Sequence, residues 1–299
     1  MDYHSQKKIQ VVLMSESTEH RFRESLRGWL MGFHGQVRPI TDEELARRLE
    51  SYVEQERQYK EKVRFVLGEV ARRGSAPNLV LDLGSSAGGL SAALAQAGLE
   101  VQGIEPNPAG VDASRLRVER LGLTGVEFQV GIGERMSYPA NRFDLVVSMA
   151  VLEHVQDVHK VVQEVFRVLK PGGWAYFEVP NNMFPFEGHY KMAWLPMMPK
   201  PLAKLYVSVR GAYPNFLDHL HYMNRWIVMR HFHRAGFIQM KDVYADYLSG
   251  KAAGEPWADR SGRLAQMPWS ARLLRRLCGS LPTAWFVNRA ICLIARKPE

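Results

Sequence analysis

Cysteine is nearly missing from this 299-residue chain: Cys278 and Cys292 are the two present, each in apolar surroundings and neither in a CxxC pair. That excludes a disulfide framework and argues for buried thiols in a reducing compartment. Long hydrophobic runs are lacking as well. No apolar stretch reaches the roughly 18 residues of a membrane span, and the N-terminal MDYHSQKKIQVVLMSESTEH has no sustained apolar core of the signal-peptide kind. Internal repeats and low-complexity tracts are not found. What is there, 46% apolar and 23% charged residues, is the composition of a folded globular protein. A cytoplasmic location is expected.

Negative charge is scarce in the last 119 residues, where 17 basic side chains face 7 acidic ones. Residues 1–78 carry 14 and 12, and residues 79–180 carry 8 and 12, so the chain's net +8 belongs to its C-terminal part. A polyanion or an anionic lipid leaflet would meet that part and be repelled by the acidic middle. An evenly solvated basic face is the alternative.

Residues 42–73 follow Thr41, a helix-capping residue, and space Leu45, Leu49, Val53, Val63, Val66 and Val70 for a long amphipathic helix with one break. After Gly74 and Pro77 the pattern alternates: LVLDLG, LSAALAQAG, EVQGIE, a helix from Asp112 to Leu121, then VEFQVG. FDLVVSM, a helix from about Asp157 to Leu169, a turn at Lys170-Pro171-Gly172-Gly173 and the strand WAYFEVP repeat the unit. This is an α/β chain with a mostly parallel sheet and helices on both faces. Further on, a helix from Asn224 to Ala235, a strand near Phe237–Tyr247, a helix SARLLRRLCGS and a last strand AWFVNRAICLIARK are expected. The division reads as an N-terminal helical region, 1–76, and a main domain, 77–299, with an insert at about 183–223 and a basic segment at about 248–283.

Val80-Leu-Asp82-Leu-Gly84-Ser-Ser-Ala-Gly88-Gly89 runs a strand straight into small residues and a helix. Small residues let a ligand approach the backbone, and a helix start offers unpaired N–H groups. Glu105 ends the next strand 21 residues after Gly84, where a carboxylate can accept both ribose hydroxyls of an adenosine ligand. The GxGxxG of a nicotinamide dinucleotide site is missing.

LDLGSSAGG, GIEPN, GIGERMSYPANRFDLVVSMAVLEHVQD and VFRVLKPGGWAYFEVPN together resemble, in order and spacing, the motifs of class I S-adenosylmethionine-dependent methyltransferases. The resemblance covers about residues 79–182 and is greatest to the small-molecule branch that includes the ubiquinone-biosynthesis type. It implies a Rossmann-like fold with a mostly parallel seven-stranded sheet and S-adenosyl-L-methionine as cofactor. By the same resemblance Asp82, Gly84, Ser85, Ala87 and Gly88 line the methionine end, and Glu105 holds the ribose. Gly133 and Glu134 border the adenine, with apolar help from Pro106 and Met136, while Ser148, Met149 and Ala150 form the floor under the sulfonium. Ser86 stands where glycine or cysteine is usual. Ile132 replaces an aspartate that commonly accepts from the adenine amino group, a role left to a backbone carbonyl or Glu134.

Methyl transfer to a hydroxyl needs alignment, exclusion of water and a group to take the proton, for which imidazole is suited. His154 in LEHV, His189 in FEGHYKM and His219 in DHLHYMN are the candidates. Glu187, His189, Asp218 and His219 offer nitrogen and oxygen ligands but match no compact metal spacing, so no metal is expected. The insert interleaves Phe184, Phe186, Trp194, Leu195, Leu202 and Leu205 with Lys191, Lys200, Lys204 and Arg210, the make-up of a lid over an apolar pocket or of a segment resting on a membrane surface. A small-molecule or lipid-linked acceptor, such as a glycan sugar or a quinone precursor, is expected, with peripheral contact at the inner membrane face. No nucleic-acid-binding module is recognised. A noncatalytic cofactor-binding partner module is the alternative function, and the oligomeric state is left open.

Overall fold

The computed structural model describes residues 3–249 and 288–299, with side chains described for 17–248 and 288–299. Cys278, the helix expected at SARLLRRLCGS and nearly all of the basic segment lie outside the described residues. The chain divides into two compact units, Met1–Val63 with Asn78–Ile132, and Arg64–Pro77 with Gly133–Glu299. The sheet order is β3-β2-β1-β4-β5-β9-β8.

In the first unit, α1 (Tyr3–His34) and α2 (Asp42–Val53) build a core of their own. Phe22, Leu26, Trp29 and Leu30 recur at helical spacing and pack with Leu45, Val53, Ala87 and Ala113. Thr41 caps α2 by accepting from the Glu44 N–H at 3.2 Å. The break that the sequence predicts falls at Glu54, after which α3 (Gln55–Ala71) begins. Its cause is visible. The fully buried Arg117 donates to the last carbonyls of α2, Tyr52 O at 2.6 Å and Val53 O at 3.1 Å, and also pairs with Glu56. Helix-end carbonyls have no partner within the helix, and here a guanidinium fork supplies one.

Strands β1 (Leu79–Leu83), β2 (Glu100–Glu105) and β3 (Val126–Val130) pair in parallel, with Leu79 opposite Glu100 and Val101 opposite Val126. They alternate with α4 (Gly89–Gln96) and α5 (Pro108–Leu121). The latter starts four residues before the expected Asp112, because Asn107 caps it and Pro108 is preset for a first helical turn.

In the second unit, β4 (Phe143–Met149) pairs in parallel with β5 (Leu169–Pro180). Between them lies α6 (Val158–Val168), capped by Asp157. The turn expected at Lys170–Gly173 is part of β5. Two short strands, β6 (Phe186–Glu187) and β7 (Met192–Ala193), form a hairpin in the insert, followed by α7 (Lys200–Val209) and a 3-10 turn at Pro214–His219. Then come α8 (Arg225–Ala235), β8 (Ile238–Asp242), α9 (Tyr244–Ser249) and β9 (Ala290–Arg296). The single strand expected near Phe237–Tyr247 is thus a strand and a short helix, divided where Asp242 accepts from the Tyr244 N–H. β9 runs antiparallel to both β5 and β8, placing Cys292, fully buried, opposite Glu178.

Candidate functional site

The first candidate site lies in the first unit, at the C-terminal ends of β1 and β2. Asp82 is buried near the end of β1 and accepts from the Ser91 hydroxyl of α4 at 2.5 Å. Burial pushes its carboxyl up to about 7 against that hydrogen bond, and the charge of Glu105 adds to the rise. From Gly84 to Gly88 the backbone turns sharply. Gly88 has φ +76°, and a Cβ there would stand 2.9 Å from Cβ of Ser114, so neither conformation nor space admits a side chain. Ser86 also lies in the left-handed region, at φ +55°, a conformation that favours glycine. Arg117 reaches the same loop, donating through Nε to Ala87 O at 2.7 Å. Ser85 and Ala87 are buried.

Glu105 is partly exposed at the end of β2, and each of its oxygens accepts one backbone N–H, Oε2 from Ser86 at 3.0 Å and Oε1 from Asn107 at 3.1 Å. A carboxylate oxygen has two lone pairs, so both retain capacity for a ligand hydroxyl while the backbone fixes their direction. Burial raises its pKa, and the two N–H groups counter the rise. Pro106 is exposed beside it and Ile132 is 44% exposed.

The other expected cofactor residues belong to the second unit. Glu134 uses Oε1 to accept from the Gln156 and Asp157 N–H groups at 2.7 and 3.3 Å, which braces the approach to α6. Gly133 beside it is partly exposed, whereas Met136 is buried. Ser148 is buried in β4, Met149 is partly exposed, and Ala150 follows in a left-handed turn with φ +55°.

Two of the three candidate histidines come together in this unit. His154 follows β4 and His189 sits in the turn of the β6–β7 hairpin, and their Nε2 atoms are 3.3 Å apart. His189 Nδ1 is 2.7 Å from Glu187 Oε1, and the other Glu187 oxygen accepts from the Tyr190 N–H. Phe216, from the 3-10 turn, packs on both rings with centroids 5.9 and 5.5 Å away. His219 is exposed at the end of that turn, beside Asp218, whose carboxylate takes Lys204. Behind the pair lies Glu153, 1% exposed, with Oε1 3.8 Å from His154 Nε2 and neither oxygen hydrogen-bonded to another residue. Burial pushes its carboxyl up to about 7, with the charges of Glu178 and Glu187 adding and His189 opposing. Burial, then the charge of His189, holds His154 down at about 3. Burial acts the same way on His189 but is outweighed by Glu187 and Glu153, so that ring lies above the ordinary imidazole range. Glu153 and Phe216 are residues the sequence reading did not single out. Glu153 carried a signal, its place directly before His154; Phe216 carried none.

Among the described residues, the sheet is parallel except where β9 runs reversed, with a glycine turn after β1 and an acid ending β2. Residues 81–177 match the methyltransferase domain family. Over this third of the chain the sequence is similar to methyltransferase domains. The chain is 39% identical over 104 residues to the ubiquinone biosynthesis O-methyltransferase of Bordetella avium, covering 34% of this chain and 43% of that protein. It is 31% identical over 110 residues to the protein of the same name from Acinetobacter baylyi, covering 36% and 46%. The chain thus spans less than half the length of these curated relatives. Among solved structures it is similar to phosphoethanolamine N-methyltransferase 2 of Haemonchus contortus, with TM-score 0.47 and 20% identity over 77% of this chain and 52% of that one. No described helix is long and apolar enough to cross a membrane.

Proposed function

We propose that the protein transfers the methyl group of S-adenosylmethionine to a hydroxyl of an amphipathic acceptor, lipid-linked or quinone-like. The observation that carries the cofactor half of this reading is Glu105, held by two backbone N–H groups with lone pairs to spare beside a loop that excludes side chains at Gly88. In the transfer the sulfur–carbon bond breaks as the oxygen–carbon bond forms, and the sulfonium electron pair stays on sulfur. The hydroxyl proton must leave, and the Glu153–His154–His189 cluster is the polar group set we assign to the acceptor end. The O-methyltransferase names of the curated relatives support a hydroxyl acceptor.

The insert supports an amphipathic acceptor. Leu202, Leu205 and Val209 form an exposed stripe on α7, and Leu195 before it is 67% exposed, with Lys191, Lys200 and Arg210 nearby in sequence. Apolar side chains flanked by cations suit a lipid interface, and we assign this face to peripheral membrane contact. Calorimetric titration with S-adenosylhomocysteine, with NAD as control, tests the cofactor. Transfer of a tritiated methyl group to lipid-linked sugars, quinone precursors or RNA then tests the acceptor. Micromolar binding of S-adenosylhomocysteine and none of NAD supports the cofactor half of the reading; no binding of either sinks it.

A further inference from the structure

We propose that Glu153, His154 and His189 bind one divalent transition-metal ion of the zinc class, with Glu187 holding His189 in place from behind. One ligand atom from each of the three lies within 4.8 Å of the others. The two imidazole nitrogens face each other at 3.3 Å. Ligands about 2.0–2.1 Å from a tetrahedral zinc are roughly 3.3–3.4 Å apart, so these rings already stand at the separation of two zinc ligands. A hydrogen bond between the rings would also bring the nitrogens together, but it does nothing for Glu153. That side chain is buried, and neither of its oxygens is bonded to another residue. A buried carboxyl whose oxygens make no hydrogen bond to another residue is costly to ionise, and a cation beside it offsets part of that cost.

The surroundings fit as well. His189 turns Nε2 toward the cluster because its Nδ1 is taken by Glu187 at 2.7 Å, and a ligand histidine commonly hands its other nitrogen to a carboxylate in this way. Phe216 covers both rings and limits water. Two imidazoles and one carboxylate favour zinc, cobalt, nickel or iron over magnesium or calcium. Three protein ligands leave a fourth position, the layout of a catalytic rather than a structural site. A hydroxyl oxygen bound there would lose its proton more readily. That last role rests on the proposed function, whereas binding of the ion does not. The ligand set differs from the Glu187, His189, Asp218 and His219 grouping considered from sequence, since it draws on Glu153 and His154 and leaves His219 out.

The test uses the full chain stripped with a chelator and titrated calorimetrically with zinc chloride, cobalt chloride or magnesium chloride. One equivalent of zinc should bind at micromolar concentration or tighter, cobalt should give visible d–d absorption, and zinc should raise the melting temperature. Glu153→Gln and His189→Gln should each abolish the cobalt bands, Glu187→Gln should weaken zinc about 10–100-fold, and His233→Gln, on the exposed part of α8, should change nothing. Absence of zinc and cobalt binding by the wild-type chain overturns the proposal, as does binding that survives both Glu153→Gln and His189→Gln, or binding of magnesium alone. Should a variant fail to fold, the wild-type titration and cobalt spectrum still decide. Binding of S-adenosylhomocysteine, measured on the same samples, separates failure of the metal site from failure of the methyltransferase reading.

Discussion

Glu56 and Glu153 are 3% and 1% exposed, and almost everything else about their settings differs. Glu56 meets two arginines, Arg117 and Arg120, and the first of these also binds Ala87 O, Tyr52 O and Val53 O. Glu153 meets a neutral-leaning histidine at 3.8 Å and no hydrogen-bond partner on another residue. One carboxylate is fully used by the fold, and the other is held in reserve. Burial of a paired and hydrogen-bonded charge fixes architecture, here the join of the N-terminal helices to the glycine loop through Arg117. Burial without satisfaction is the feature on which the proposed ion site rests.

The comparison can be broken first at Arg117. Replacing it by Met leaves Ala87 O and Tyr52 O without this donor and Glu56 and Val53 O with Arg120 alone, and is expected to cost about 3–5 kcal/mol in urea unfolding, more than any change at Glu153. A loss under about 1 kcal/mol would show that the network is not the architectural tie described. Asp82 offers a second test, because it too is buried without a cation. Its folded pKa of about 7 lies above that of the unfolded chain, so the folded state binds more protons between about pH 4 and 7. Stability is therefore greatest below that window and falls as pH rises through it, by on the order of 2–4 kcal/mol from this group. Asp82→Asn should flatten the profile of melting temperature against pH, and an unchanged slope would contradict the assignment.

Glu105→Ala should weaken S-adenosylhomocysteine by about 1–3 kcal/mol through loss of charged hydrogen bonds, with melting temperature little altered. Unchanged calorimetric affinity would remove Glu105 from the ribose. The smallest effect belongs to Ser86→Gly. Relief of a left-handed φ is worth about 1 kcal/mol at most and is offset in part by the greater freedom of glycine in the unfolded chain, so a modest rise in melting temperature is expected. A fall would mean that the Ser86 side chain contributes more than its backbone costs.

Much of this was legible in the residues themselves. Asp157 and Asn224 announce helices that begin where their side chains cap them, and Glu105 stands at the strand end its spacing from Gly84 requires. One break in the helix over residues 42–73 was expected, but neither its place at Glu54 nor its cause was, since Arg117 lies more than sixty residues away and nothing local marks an arginine as buried. α9 was hidden for a similar reason. Its residues Tyr244–Ser249 are mixed in propensity, and the turn into it is held by Asp242, whose Oδ1 accepts from the Tyr244 and Cys292 N–H groups. The histidine pair was half legible: each ring was a candidate, but their meeting depends on a hairpin in the insert whose two-residue strands leave almost no periodic trace. His219, equally plausible as a sequence, ends exposed because Phe216 and Leu217 take the buried positions of its turn.

The reversed strand β9 has a consequence for how the chain is made. It lies between β5 and β8, and β8 has no other neighbour among the described strands. During synthesis β8 and its helix therefore emerge about fifty residues before their partner, with an unpaired edge exposed in the interval. A chain interrupted before Ala290 would keep the whole segment that matches the methyltransferase family, yet present two open strand edges where one buried strand belongs. Such fragments should aggregate rather than persist.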